Sequence, residues 1–173
     1  MAIDAREFRR GLSQFASGIT VVTTTDGAGQ PQGLTASSFC SASLDPPLVL
    51  VCVDNRLAAR QAILESGLFA VSVLAESQES VSRRFAGGGA DKFMGPGLVP
   101  GTNGALLVSG ALAHLECRLV ASHAAGDHTV FVGEVERLEV APGRPLLYHE
   151  SGYHRLDAGE PAPVAGAPVR DRV

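Results

Sequence analysis

The chain has 173 residues, 45% of them hydrophobic and 18% charged, with a formal net charge of −4. That is enough chain for one domain with a real core, too apolar for a disordered protein and too acidic for a nucleic-acid footprint. With no apolar run of bilayer length and no signal-like N-terminal segment, the expectation is a cytoplasmic protein with no membrane partner. Cys40, Cys52 and Cys117 are odd in number, far apart and set in apolar strand patterns. Buried, reduced thiols are therefore expected, not a disulfide framework or a zinc site.

In chain order, residues 3–16 read as a helix whose stripe is Phe8, Leu12 and Phe15, with Asp4 and Glu7 at capping-box spacing. GITVVTT (18–24) reads as a strand and DGAGQPQG (26–33) as a turn. LTASSFCSAS then reads as one strand, stopped by Asp45-Pro46-Pro47 because proline cannot donate to a ladder. Alternation gives that strand an apolar face of Leu34, Ala36, Ser38, Cys40, Ala42 and Leu44. Its other face is Thr35, Ser37, Phe39, Ser41 and Ser43, hydroxyls around one aromatic ring.

LVLVCV (48–53) is an apolar run suited to a strand buried on both faces. RLAARQAILESG is helical and stops at Gly67; FAVSVL (69–74) is a strand; residues 77–87 form a short helix pinned by Val81 and Phe85. A long glycine-rich loop follows, and long loops often carry function. In residues 111–121 the odd positions are apolar and His114, Glu116 and Arg118 face outward. Gly126 and Asp127 form a turn from which His128 opens TVFVGEVERLEV, and PLLYHESGYHRL closes as a hairpin. The expected fold class is mainly β, an antiparallel barrel with helical insertions over residues 1–156, followed by a Pro/Ala/Gly-rich tail over 157–173.

Several chemistries lack their motifs. There is no Walker A sequence, no GxGxxG, no GxSxG elbow and no HExxH, and the five histidines show no compact ligand spacing, so no metal is expected. Three stretches remain. The hydroxyl face over Thr35, Ser37 and Ser43 suits either solvent or a flat heteroaromatic ligand with polar edges. In VDNRLAAR, Asp54 or Asn55 can cap a helix whose first turn, with Arg56 and Arg60 at i,i+4, makes a phosphate seat or an ordinary solvated surface. Arg83, Arg84 and Lys92 add positive charge around the glycine-rich loop, or are simply a solvated run. His128 lies at a strand mouth, where a neutral imidazole can both donate and accept.

Taken together, GITVVTT, GLTASSFCSASLDPPLVLVCV, FAVSVL, SRRFAGGGADKF, AGDHTVFVGEV and PLLYH with GYHRL resemble the flavin reductase-like family. The resemblance runs from about Phe8 to Leu156. It implies an FMN-binding split barrel, an NAD(P)H-dependent flavin reductase of a two-component flavin-dependent monooxygenase, and a homodimer. It implies FMN (or FAD) and NADH (or NADPH) as cofactors, and a transient monooxygenase partner. It places Thr35, Ala36, Ser37 and Ser38 on the isoalloxazine and ribityl parts, with Ser43 and Leu44 flanking the ring. Asp54, Asn55, Arg56, Arg60, Arg84 and Lys92 fall on the phosphate side; His128, Tyr148, His149 and Tyr153 fall on the nicotinamide side. Where many members carry Ser, Thr or Asn after the third strand, this chain has Asp54-Asn55-Arg56. Hydride transfer implies no obligate protein acid or base. Two rivals stay open on sequence: a barrel that keeps its flavin as an oxidase or oxygenase, and a non-catalytic flavin- or haem-binding dimer.

Overall fold

A computed structural model describes residues 3–95 and 97–156; the tail from Asp157 lies outside the described residues. Strands β1 (Ser17–Gly18), β2 (Thr20–Thr25), β3 (Pro31–Ala36), β4 (Phe39–Leu44) and β5 (Pro47–Asp54) follow helix α1 (Ala5–Leu12). Helix α2 (Ala58–Ser66), β6 (Leu68–Val73) and helix α3 (Glu79–Ala86) come next. The short strands β7 (Leu98–Pro100) and β8 (Leu106–Val108) precede the long β9 (Ala113–Ala125) and β10 (His128–Val140). The hairpin β11 (Leu146–His149) and β12 (Gly152–Arg155) ends the described chain and pairs with β1.

The main sheet has seven strands in the order β3-β2-β6-β9-β10-β5-β4, every neighbouring pair antiparallel. Its two outermost strands, β3 and β4, are consecutive in sequence and joined only by Ser37 and Ser38. A two-residue link spans a few ångströms, so the sheet must curl until its edges meet. The Cys52 N–H donates to the Ser38 carbonyl at 3.3 Å where the corner reaches β5.

Alternating side chains fill the interior. Val22 of β2, Leu34 and Ala36 of β3, Val49, Val51 and Val53 of β5, Phe69 and Val71 of β6, Leu115 and Cys117 of β9 and Phe131 of β10 form one buried cluster. Ala59 and Ile63 of α2 join it, so that helix packs into the barrel core. The helix ends as its sequence dictates, with Gly67 at φ 68° and its N–H on the Ile63 carbonyl. A second cluster, with Val21, Leu74, Phe85, Val108 and Leu146, covers the outer face of β2 with α3 and the later strands.

Four sequence expectations change. The stretch 34–43 is two strands, because the Ser37–Ser38 corner breaks the alternation; Phe39 packs against the interior cluster, while Cys40 and Leu44 are exposed. Among the three free thiols only Cys117 is buried, and Cys52 is half-buried. The outer positions of β5, Leu48 and Leu50, are only half-buried, so that strand is not buried on both faces. Glu116, expected in solvent, is 4% exposed because residues 98–108 fold over it. Its Oε2 accepts from Thr102 Oγ1 at 2.9 Å and from the Asn103 N–H at 2.7 Å.

Helix α1 forms as expected, capped by Asp4 Oδ1 accepting the Arg6 and Glu7 N–H groups at 2.8 Å. Its stripe is nonetheless exposed, with Phe8 at 56% and Phe15, just beyond the helix, at 78%. The segment after α1 is tied to the β11–β12 turn by the Glu150 N–H on the Ser13 carbonyl and by Gln14 Nε2 on Glu150 Oε1, at 2.9 and 2.8 Å.

Two predictions follow from this packing. A Cβ on Gly133 would overlap the Phe69 ring, itself fully buried. Gly133→Ala is expected to destabilise by about 1–3 kcal/mol in denaturant unfolding, the usual range for overpacking. Burial pushes the Cys117 thiol up to about 12, so at pH 8 it stays protonated. Mass mapping after alkylation at that pH should find Cys117 unmodified until denaturant is added.

Candidate functional site

The strand ends around α2 gather most of the polar residues singled out in the sequence. Asp54 ends β5 and Asn55 turns the chain toward α2. Asn55 braces this corner: its N–H donates to the Asp127 carbonyl at 3.0 Å, its Nδ2 to the Gly126 carbonyl at 3.3 Å, and its Oδ1 accepts from Thr129 Oγ1 at 2.7 Å. Asp54 accepts from the Arg56 N–H at 2.9 Å and from its Nε at 3.0 Å. The Arg56 side chain and N–H hold the Asp54 carboxyl well below the ordinary carboxylate range.

Neither Asp54 nor Asn55 caps the helix. The N-cap is Leu57, which has no capping side chain, so the first-turn N–H groups of α2 have no side-chain acceptor. Because α2 starts at Ala58, Arg56 lies ahead of it, and the two arginines do not share a helical face. Arg60 instead points Nε at Thr129 Oγ1, 3.2 Å away across the barrel end. His128 opens β10 opposite Asp54, with Nδ1 2.7 Å from Asp127 Oδ1. That contact holds the Asp127 carboxyl below its ordinary value.

A cleft of about 650 Å³ opens between residues 26–33, which are the turn before β3 and its first residues, the start of α2 and residues 88–94. Arg56 and Lys92 both line it. Lys92 Nζ donates to the Gly33 and Gly87 carbonyls at 2.9 and 3.3 Å, and partial burial lowers its pKa. Arg84 approaches through Nη1, 3.5 Å from the carbonyl of Met94, a lining residue. The Arg84 Nε and Nη2 atoms are buried with no hydrogen-bond partner among the described residues. Two lining cations and open helical N–H groups suit an anion with several oxygens. The phosphate of a flavin nucleotide fits that donor set.

The corner residues divide their work. Thr35 Oγ1 donates to the Ser82 carbonyl at 2.6 Å, and Ser38 Oγ donates to the Cys52 carbonyl at 2.9 Å. Ala36 is buried inside the barrel. Ser37 is exposed and lines two adjoining clefts, of about 400 and 320 Å³, that also share Phe15 and Ser17. Tyr148 lines the larger one. It packs edge-on against Tyr153, whose hydroxyl is 2.8 Å from Ser82 Oγ and whose ring lies under Arg83 at 4.7 Å. His149 lies beside His154, ring centroids 5.8 Å apart. Ser43 is half-buried and Leu44 exposed at the far end of β4.

The structure thus joins Arg56 with Lys92, Ser37 with Tyr148, Thr35 with Tyr153 through Ser82, and His128 with Asp54 by strand pairing. Tyr148, His149 and Tyr153 belong to the β11–β12 hairpin, while His128 belongs to the corner at the end of β5. Sequence reasoning passed over Gln30, Gln32, Gly88 and Met94 of the large cleft. The available signal was the length of the glycine-rich loop; the glutamines looked like ordinary turn residues.

A seven-stranded antiparallel sheet curled by a two-residue corner, with helices packed against it, is the architecture of a split β-barrel. The family model of the flavin reductase like domain matches residues 12–157, and the chain belongs to that family. The chain is 42% identical over 171 residues, 98% of its own length and 86% of the relative's, to the reductase subunit HsaB of a flavin-dependent monooxygenase from Rhodococcus jostii strain RHA1. BorF, the flavin reductase component of a bacterial two-component tryptophan halogenase, superposes with a TM-score of 0.82 at 42% identity, over 88% of this chain and 98% of that one. The Streptomyces globisporus C-1027 NADH:FAD oxidoreductase SgcE6, in complex with NAD and FAD fragments, gives a TM-score of 0.83 at 39% identity, over 95% and 99% of the two chains.

Thr129 is the node of the corner, since its hydroxyl serves both Asn55 and Arg60. Thr129→Val leaves both without that partner, at a position where Thr129 itself is 4% exposed. The expected loss of stability is about 1–3 kcal/mol, read from chemical unfolding.

Proposed function

We propose that the chain is an NADH-dependent flavin reductase that supplies reduced flavin to a separate monooxygenase. The observation that carries this reading is the cleft at the start of α2 that both Arg56 and Lys92 line, where the first-turn N–H groups have no side-chain acceptor. Flavin and nicotinamide, when bound together, supply hydride transfer that needs no protein nucleophile. The chain's part is alignment and exclusion of competing geometry. Arg56 and Lys92 hold the flavin phosphate, and the Ser37–Ser38 corner supports the uncharged ring with neutral polar groups. Asp127 holds one nitrogen of His128, leaving Nε2 to meet the nicotinamide carboxamide. The Tyr148–Tyr153 pair forms a wall beside Ser37.

The working unit is a homodimer. What supports this is α1, which has no buried residue of its own although Phe8 and Leu12 are more than half exposed. A second copy of the chain covering that stripe removes several large apolar side chains from water. The free thiols at Cys40, Cys52 and Cys117 suit the reducing cytoplasm, where NADH is available.

NADH consumption followed by absorbance should rise with added FMN or FAD and continue for many turnovers. A fixed flavin spectrum without turnover would sink the reductase reading. Replacing Arg56 and Lys92 together, as Arg56→Ala with Lys92→Met, is expected to raise KM for FMN at least tenfold and leave riboflavin within twofold. Equal effects on both flavins would remove the phosphate assignment. Phe8→Glu with Leu12→Glu should shift the sedimentation mass from dimer to monomer.

A further inference from the structure

The segment before β1 hangs on one residue. Helix α1 buries none of its side chains, and among the described residues no member of the buried clusters comes before Ile19. Most hydrogen bonds of residues 3–16 are local, such as the Phe15 N–H on the Leu12 carbonyl at 3.0 Å. Among the described residues, the two that reach a distant part of the chain both end on Glu150. Its N–H donates to the Ser13 carbonyl at 2.9 Å, and its Oε1 accepts from Gln14 Nε2 at 2.8 Å. Beyond that tie, β1 pairs only Ser17 with Tyr148 and Gly18 with Leu147.

Glu150 does not suit the turn that holds it. With Ser151 it forms the two-residue loop between β11 and β12, at φ 47° and 64°. Positive φ at both positions is the pattern that asparagine and glycine adopt most easily, and other side chains there carry strain. Neither residue type serves the turn itself. What Glu150 supplies is reach, a side chain long enough to meet Gln14. The hairpin brings Tyr148 and Ser151 to the cleft of about 400 Å³, where Leu12, Ser13 and Phe15 form a second wall and Ser37 joins them. One hydrogen-bonded turn thus ties the hairpin to a wall that belongs to no buried cluster.

We propose that Glu150 is a positioning residue for the flavin ring: by holding Ser13 and Gln14 to the hairpin, it sets how far the residue 12–15 wall stands from Tyr148 and Ser151. This rests on the reading that the ring lies at the Ser37–Ser38 corner, and it adds a control on that site. Glu150 acts through Gln14 and the Ser13 backbone rather than by touching the ring. Its effect therefore falls equally on flavins with and without a phosphate, because Arg56 and Lys92 line a different cleft. An Asn-Gly turn relaxes the backbone but shortens the arm by one methylene. Stability of the turn and placement of the wall thus pull the sequence in opposite directions.

Equilibrium titration of riboflavin and of FMN, read by flavin fluorescence, measures the effect without turnover, with the variants compared at equal sedimentation mass. Glu150→Ala and Gln14→Ala should each raise Kd at least fivefold, by the same factor for both flavins. The double variant should bind no more weakly than either single one, since both changes remove one bond. Glu150→Gln keeps the Oε1 acceptor and should stay within twofold of the unmodified protein. Glu150→Asn with Ser151→Gly should raise the midpoint of chemical unfolding and still weaken both flavins, a pairing that a merely structural turn does not give. Unchanged Kd in Glu150→Ala overturns the proposal, as do additive losses in the double variant or a Glu150→Gln protein as weak as Glu150→Ala. If the binding losses appear in a protein that oxidises no NADH, the positioning role stands and the reductase reading falls. If NADH is oxidised and every variant binds flavin equally well, the reductase reading stands and the positioning role falls.

Discussion

The short corner at Ser37 and Ser38 is the constraint from which the rest of the architecture follows. Two residues must connect strands that stand at opposite ends of a seven-stranded order, so the sheet has no freedom to stay open. Closure turns one face of six strands inward, and Val22, Val51, Phe69 and Phe131 fill that space. The same corner leaves Ser37 and Ser38 at the surface, beside the last residues of β5. A structural joint and a polar ledge are therefore one feature, and the Ser38 hydroxyl is already committed to the Cys52 carbonyl that it locks in place.

Charge is segregated in the same economical way. The clefts beside Ser37 have Arg9 as their one cationic lining residue, while Arg56 and Lys92 line the separate cleft between α2 and residues 88–94. Asp54 does not oppose an anion there with a free negative charge, since Arg56 is bonded to it through Nε and N–H. Lys92 is partly desolvated and spends donors on two carbonyls, so it is a fixed charge rather than a searching one. Preorganised cations lose less freedom on binding than mobile ones.

Much of the scaffold was legible because local chemistry and final structure agree. The alternation over Ala113, Leu115, Cys117 and Leu119 matches the inward face of β9, Gly67 stops α2, and Gly126–Asp127 turns β9 into β10. The corner was not legible, because Ser37 and Ser38 are as compatible with an extended strand as with a bend; it shifts the alternation by one residue and puts Phe39 inside and Cys40 outside. Glu116 was misread since its cover, Thr102 and Asn103, comes from a distant loop. Arg56 and Arg60 were paired by spacing, but the helix begins only at Ala58, which sends them to different partners. Of the site, the cations and the serine corner could be named from the sequence. Gln30, Gln32 and Met94 could not, because only folding brings residues 26–33 and 88–94 to one cleft.

A crystal structure of the protein soaked with FMN tests the central claim most directly. The phosphate should lie within hydrogen-bonding distance of both Arg56 and Lys92, with the isoalloxazine against the Ser37–Ser38 corner. Electron density placing the phosphate away from that cleft, or the ring on the opposite side of the barrel, would contradict the account.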